Sequence, residues 1–152
     1  MSVLHSALTQ TIGVTLLRVV VGIIFVLHGV QKTFEQTFPG VQAFFESLGI
    51  PLAAVAAPAV SLLELVGGIL LIVGALTRIV ALLFTINMIV AIAVFHASMG
   101  FWVDAGGYEF VLLLGAGALA IALIGPGRFS VDELVFGARR RAAVSAQEPV
   151  SV

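Results

Sequence analysis

Residues 52–76 read LAAVAAPAVSLLELVGGILLIVGAL, a run with one charge, Glu64. About 20 mostly apolar residues suffice for a helix to cross the hydrocarbon core of a bilayer. Three further runs meet that length, at about Thr11 to Lys32, Ile79 to Met99 and Tyr108 to Ile124. Charged residues make up 10% of the 152-residue chain, and mean hydropathy is +1.20. A soluble domain carries about a quarter charged residues, so this chain lacks the polar surface that water requires. The expected fold is all-α: an integral membrane four-helix transmembrane bundle forming one domain over residues 1–137, followed by a basic run and disordered tail over 138–152.

Two short helices are expected beside the spans. In FPGVQAFFESLGIP, Val41, Phe44, Phe45 and Leu48 recur at helical spacing, with Pro39 near the start and Gly49 and Pro51 at the stop. This outer segment is expected to lie along the membrane surface or to cap the bundle. Near the C-terminus, Ser130 and Glu133 form a capping-box pattern, Phe129 and Leu134 a hydrophobic staple, and Gly137 a stop, which together predict a short cytoplasmic helix. Four spans put both termini on one side. Arg78, Arg128, Arg139, Arg140 and Arg141 fall on that side and only Lys32 on the other, so the positive-inside rule places the termini in the cytoplasm of a cell-membrane protein. Trp102 and Tyr108 fall in the outer third connection, at the depth of an aromatic belt. The N-terminal stretch lacks a basic n-region and a small-residue cleavage site, and Arg18 interrupts its apolar run, so it reads as a retained span and not a signal peptide.

Composition excludes several chemistries. The chain has no cysteine, which removes disulfides, thiolate nucleophiles, CxxC redox motifs and cysteine-ligated clusters. A net charge of −1 gives no nucleic-acid footprint. His28, His96, Glu64 and Glu109 lack close metal-ligand spacing, and no metal site is expected. Glycines at 22, 29, 67, 68, 74, 115 and 117 sit in helical runs, where they fit close helix packing and not nucleotide binding.

The informative residues are ionisable groups inside apolar runs, where each charge costs at least about 2.5–3.5 kcal/mol and must find a partner. Glu64 lies mid-span on a face with Ala57, Ser61, Gly68 and Ala75, and Arg18 is its expected partner. A second cluster is expected towards the outer face, from His28 and Lys32 one turn apart, His96, Glu109 and the loop residue Asp104. Asn87 and His96 are nine residues apart, about 180° around a straight helix, so they are not expected to face one cavity. Asn87 is expected to bond another helix or a second protomer.

The order LLRVVVGIIFVLHGVQK, LLELVGGILLIVGALTRIVALL, a late histidine and glutamate, then GPGRFSVDEL resembles the DoxX family of small four-helix membrane proteins. The resemblance runs from about Thr11 to Leu134. It is carried by Arg18, Gly22, His28, Gly29 and Lys32; by Glu64, Gly67, Gly68, Gly74, Thr77 and Arg78; by Glu109; and by Gly125, Pro126, Gly127, Arg128, Ser130 and Asp132. It implies a redox association. Family members are similar to the small membrane subunit of thiosulfate:quinone oxidoreductases, and others are linked to complexes with soluble sulfurtransferase and superoxide dismutase. The expected function is a subunit of a membrane oxidoreductase system with a quinone-like headgroup held among the spans. His28, Lys32, His96 and Glu109 would supply hydrogen bonds and protons there, with Arg18 and Glu64 setting the inner electrostatics. His28, Lys32, Glu64, His96 and Glu109 are the candidates for chemistry. The expected partners are the bilayer, soluble redox proteins on the cytoplasmic side and a second copy of the chain. The alternatives are a scaffold that recruits soluble redox enzymes through Arg78 and Arg128 to Arg141, or an oligomeric transporter or channel.

Overall fold

A computed structural model describes residues 7–137 of the chain, and all its regular elements are helical. The expected arginine run at 139–141 and the tail over 138–152 lie outside the described residues. Helix α1 spans Ala7–Val30 and continues through a π-helical turn at Gln31–Glu35. Helix α2 is short, Thr37–Ser47. Helix α3 runs as Ala53–Leu62, a π-helical turn at Leu63–Gly67, and Gly68–Val73. Helix α4 spans Thr77–Val94 and α5 spans Glu109–Ile124. A last short helix, α6, covers 131–137.

Three stretches are long and apolar enough to cross a membrane: Leu8–Glu35, Ala53–Val73 and Thr77–Val94. Helix α5 is apolar but shorter, at 16 residues. The outward faces match a lipid solvent. Leu8, Ile12, Leu16, Val20, Ile23 and Leu27 form one exposed stripe along α1, and Ile79, Leu82, Ile86 and Ile89 do the same on α4. In water such stripes would be costly; against lipid they are neutral. The protein is membrane-embedded.

α1 packs along α3, and α4 along α5. In the first contact, glycines let backbone approach backbone, with the side chains of Val26 and Ile72 packed against them. A Cβ on Gly68 would lie 2.8 Å from the carbonyl oxygen of Gly22, and one on Gly29 would lie 2.6 Å from the Leu65 Cα. Such approach is open only to glycine, and it fixes the antiparallel register of the two helices. Phe25 of α1 stacks on Phe84 of α4 at 3.6 Å between ring centroids, and both are fully buried with Leu71, Ala81, Ala118 and Ile121. These residues form the centre of the bundle.

One end of the bundle is closed by a polar clamp. The register places Arg18 beside Ile72 and Gly74, far from Glu64. Its guanidinium donates to the carbonyl oxygens of Pro126, Phe129 (2.6 Å) and Ile72 (3.5 Å). The expected Arg18–Glu64 pair is therefore wrong. Backbone carbonyls turned inward by the 125–130 loop take the place of a carboxylate. Gly74 (φ +76°) ends α3, and a Cβ there would meet both Arg18 and Ser130. Asp132 then joins three elements. Its backbone N–H donates to the Gly74 carbonyl, and its carboxylate accepts from the amides of Leu76 (2.8 Å) and Thr77 (2.9 Å) at the start of α4. These donors have no partner within their own helix, and Leu76 holds a left-handed conformation (φ +51°), so a distant acid supplies the cap. Arg78 caps the other terminus of this end, donating to the carbonyls of Ala122, Leu123 and Ile124 at the close of α5.

Asp132→Ala should lower stability by about 1–2 kcal/mol through loss of that cap. Gly74→Ala should cost about 1 kcal/mol or more, because φ is positive and the space is filled. Thermal unfolding of the purified chain in mild detergent measures both.

Candidate functional site: a cavity at the Lys32 end

The other end of the bundle is open. A cavity of about 840 Å³ lies between α2 and the ends of α1, α3, α4 and α5. Its wall is apolar and rich in aromatic rings: Phe44 and Phe45 from α2, Phe95 after α4, and Phe110 from α5. Phe44 meets Phe95 edge to face at 5.4 Å, so α2 touches the end of α4 across the cavity. Beneath lie Phe25 and the packed core.

Among the polar residues of the lining, which also include His28, Gln31, Gln36 and His96, three form a network. Lys32 Nζ stands 2.5 Å from Glu64 Oε2, and Asn87 Nδ2 donates to Glu64 Oε1 at 3.1 Å. The Glu64 side chain is 4% exposed and that of Lys32 22%, so the carboxylate is buried and the ammonium reaches the cavity. Each charged partner sits in a π-helical turn, Lys32 in Gln31–Glu35 and Glu64 in Leu63–Gly67. Such turns insert an extra residue into the helical repeat and re-aim side chains, and they are common at functional sites. The α1–α3 register brings the two turns side by side, since Gly29 abuts Leu65.

Of the six residues expected to form a ligand pocket, the structure gathers four around this cavity: His28, Lys32, Glu64 and His96. His28 is exposed at its edge. His96 Nδ1 lies 2.7 Å from the Gly106 carbonyl. An oxygen there can only accept, so Nδ1 carries the proton and Nε2 is an acceptor whenever the ring is neutral. Two residues lie elsewhere. Arg18 belongs to the opposite clamp, fourteen residues or about 21 Å of helical rise from Lys32. Glu109 turns to the 95–108 loop, where its Oε2 accepts from the Val103 amide at 3.1 Å, and its neighbour Phe110 lines the cavity instead. Among the described residues no cluster of His, Asp and Glu could hold a metal ion.

Asn87 was expected to face away from His96, yet both line the cavity. The straight-helix argument fails because α4 stops at Val94. Phe95 leaves the helical conformation (φ −126°, ψ −60°) and His96 begins a 3₁₀ turn, which swings the ring back. The expectation that Asn87 bonds another helix is met by Glu64 of α3. The available signal for Asn87 was its cost: an amide inside an uncharged apolar run needs a partner.

A family model described as DoxX matches residues 13–97, more than half of the chain. The chain belongs to the DoxX family. The matched stretch contains Arg18 and the Lys32–Glu64–Asn87 network of this DoxX protein, whereas the 125–132 segment of the clamp lies beyond it. A Bacillus subtilis relative called "Putative oxidoreductase CatD" is 38% identical over 135 residues, 89% of this chain and 96% of the relative. The inner membrane protein YqjF of Escherichia coli is 30% identical over 126 residues, 83% and 94% of the two chains. An uncharacterized membrane protein of Mycobacterium tuberculosis is 33% identical over 132 residues, 79% of each. No solved structure matches the DoxX chain.

Removing one partner of a buried ion pair strands the other, at a cost of about 3–5 kcal/mol, whereas removing both is far milder. Lys32→Met should therefore unfold at clearly lower temperature than wild type, and Lys32→Met/Glu64→Gln should recover most of the loss. Equal melting of the single and double variants would show that the pair carries no structural weight.

Proposed function

We propose that this DoxX protein is the membrane subunit of a quinone-linked redox system, with the quinone headgroup held in the cavity at the Lys32 end. The observation that carries this reading is an apolar, ring-lined cavity ending on hydrogen-bonding groups. Its volume falls within the range of about 300–1,000 Å³ typical of small-molecule sites. A flat ring suits the Phe44, Phe45, Phe95 and Phe110 wall, and a carbonyl oxygen suits the two Lys32 N–H bonds left over after Glu64. His96, with Nδ1 committed to Gly106, offers Nε2 for a proton, and His28 at the cavity edge can relay one from water. A quinone supplies the two-electron couple; the residues of this chain orient it, exclude water and hold the two protons that accompany the electrons. The CatD relative carries an oxidoreductase name, which agrees with this reading.

The membrane arrangement completes the proposal. Helix α5, about 24 Å long, crosses as the fourth span together with its flanking residues, and α2 lies at the interface. The Arg18 clamp, with Arg78 and Arg128, then faces the cytoplasm of a cell-membrane protein, and the cavity opens towards the outer leaflet. Arg78 is engaged by the α5 carbonyls, which leaves it a poor docking handle for a soluble partner.

The test is equilibrium binding of a short-chain quinone to the full chain in nanodiscs. Lys32→Met/Glu64→Gln and His96→Ala should each weaken binding by about tenfold, equivalent to about 1.4 kcal/mol. Affinity unchanged in both would sink the reading.

A further inference from the structure

Among the described residues lining the cavity, the only formal charges are those of Lys32 and Glu64, with His28 and His96 as the other titratable groups. A lone ammonium at the end of an apolar cavity in a bilayer would be a receptor for the single-chain carboxylates that membranes contain, because an unpaired charge in low dielectric draws a counter-ion strongly. Glu64 already occupies that place. Its Oε2 holds Lys32 at 2.5 Å, and Asn87 holds Oε1 at 3.1 Å, so the carboxylate is tied at both oxygens and is almost fully buried. The tie spans three helices, since Lys32 is on α1, Glu64 on α3 and Asn87 on α4.

We infer that Glu64, held in place by Asn87, is a charge filter: it keeps the cavity neutral, so the site takes an uncharged headgroup with an acceptor oxygen and rejects amphiphilic carboxylates. An incoming carboxylate would compete with Glu64 for one ammonium and would stand beside a second negative charge in low dielectric. A neutral carbonyl or hydroxyl oxygen meets neither obstacle, since two Lys32 N–H bonds remain to be accepted. Glu64 is thus a specificity-determining residue and Asn87 a positioning residue acting through it. The inference rests on the cavity being the ligand site, but not on the ligand being a quinone.

The experiment measures binding of labelled laurate and of a short-chain quinone to the full chain in nanodiscs, at mildly alkaline pH. Wild type should bind the quinone and bind laurate at least about tenfold more weakly than Glu64→Gln does. Glu64→Asp, which keeps the charge, should still reject laurate. Asn87→Leu should gain laurate affinity by about threefold, because the carboxylate is no longer fixed. Adding Lys32→Met to Glu64→Gln should abolish the gain. Laurate binding wild type as tightly as Glu64→Gln would overturn the filter, as would a gain that survives loss of Lys32. Should Glu64→Gln fail to fold, Asn87→Leu carries the same test, and unchanged laurate binding there overturns the proposal. If no variant binds the quinone while the laurate pattern holds, the quinone reading fails and the filter stands.

Discussion

The backbone contact between α1 and α3 sets the positions of the polar groups at both ends of the bundle. Two helices that meet through Gly22, Gly29 and Gly68 cannot slide, because any other register would drive side chains into backbone. That fixed alignment sets Lys32 beside Glu64 and puts Arg18 beside Ile72 and Gly74. Among the described residues, these two polar centres are consequences of one apolar interface in which glycines admit the partner's backbone. In a bilayer, where burial gives no hydrophobic gain between helices, close packing of this kind is what holds them together.

The two centres solve opposite problems. At the Arg18 end the donors are guanidinium and helix-terminal amides, the acceptors are carbonyls and Asp132, and the groups are knitted together by 125–132. At the Lys32 end the charges satisfy each other but the space above them is left unfilled. Hydrogen bonds thus close one end of the bundle, and room is left at the other.

Much of the fold was legible in the sequence because its signals are one-dimensional. Run length marks the membrane-crossing helices, small residues mark the contact faces, and isolated ionisable groups mark the polar centres. His28, Lys32, Glu64 and His96, singled out this way, all line the same cavity. The errors came from three-dimensional information. Arg18 was matched to Glu64 by charge, whereas the α1–α3 register and a loop more than a hundred residues away supply its true partners. Glu109 looked available by depth but is used by the adjacent loop. Asn87 was turned away by assuming a straight helix through His96, when α4 ends at Val94. The π-helical turns that aim Lys32 and Glu64 carry no residue signature that periodicity could read.

The clamp also bears on how the chain is made. Synthesis delivers Arg18 early, with the first helix, but the Pro126 and Phe129 carbonyls and Asp132 come after α5. Until that segment emerges, a guanidinium inside the membrane and the open start of α4 both wait without their final partners. Helices packed earlier through their glycines are therefore clamped at the Arg18 end by the stretch translated behind them, and a ribosome stalled before residue 126 would leave packed spans without that clamp.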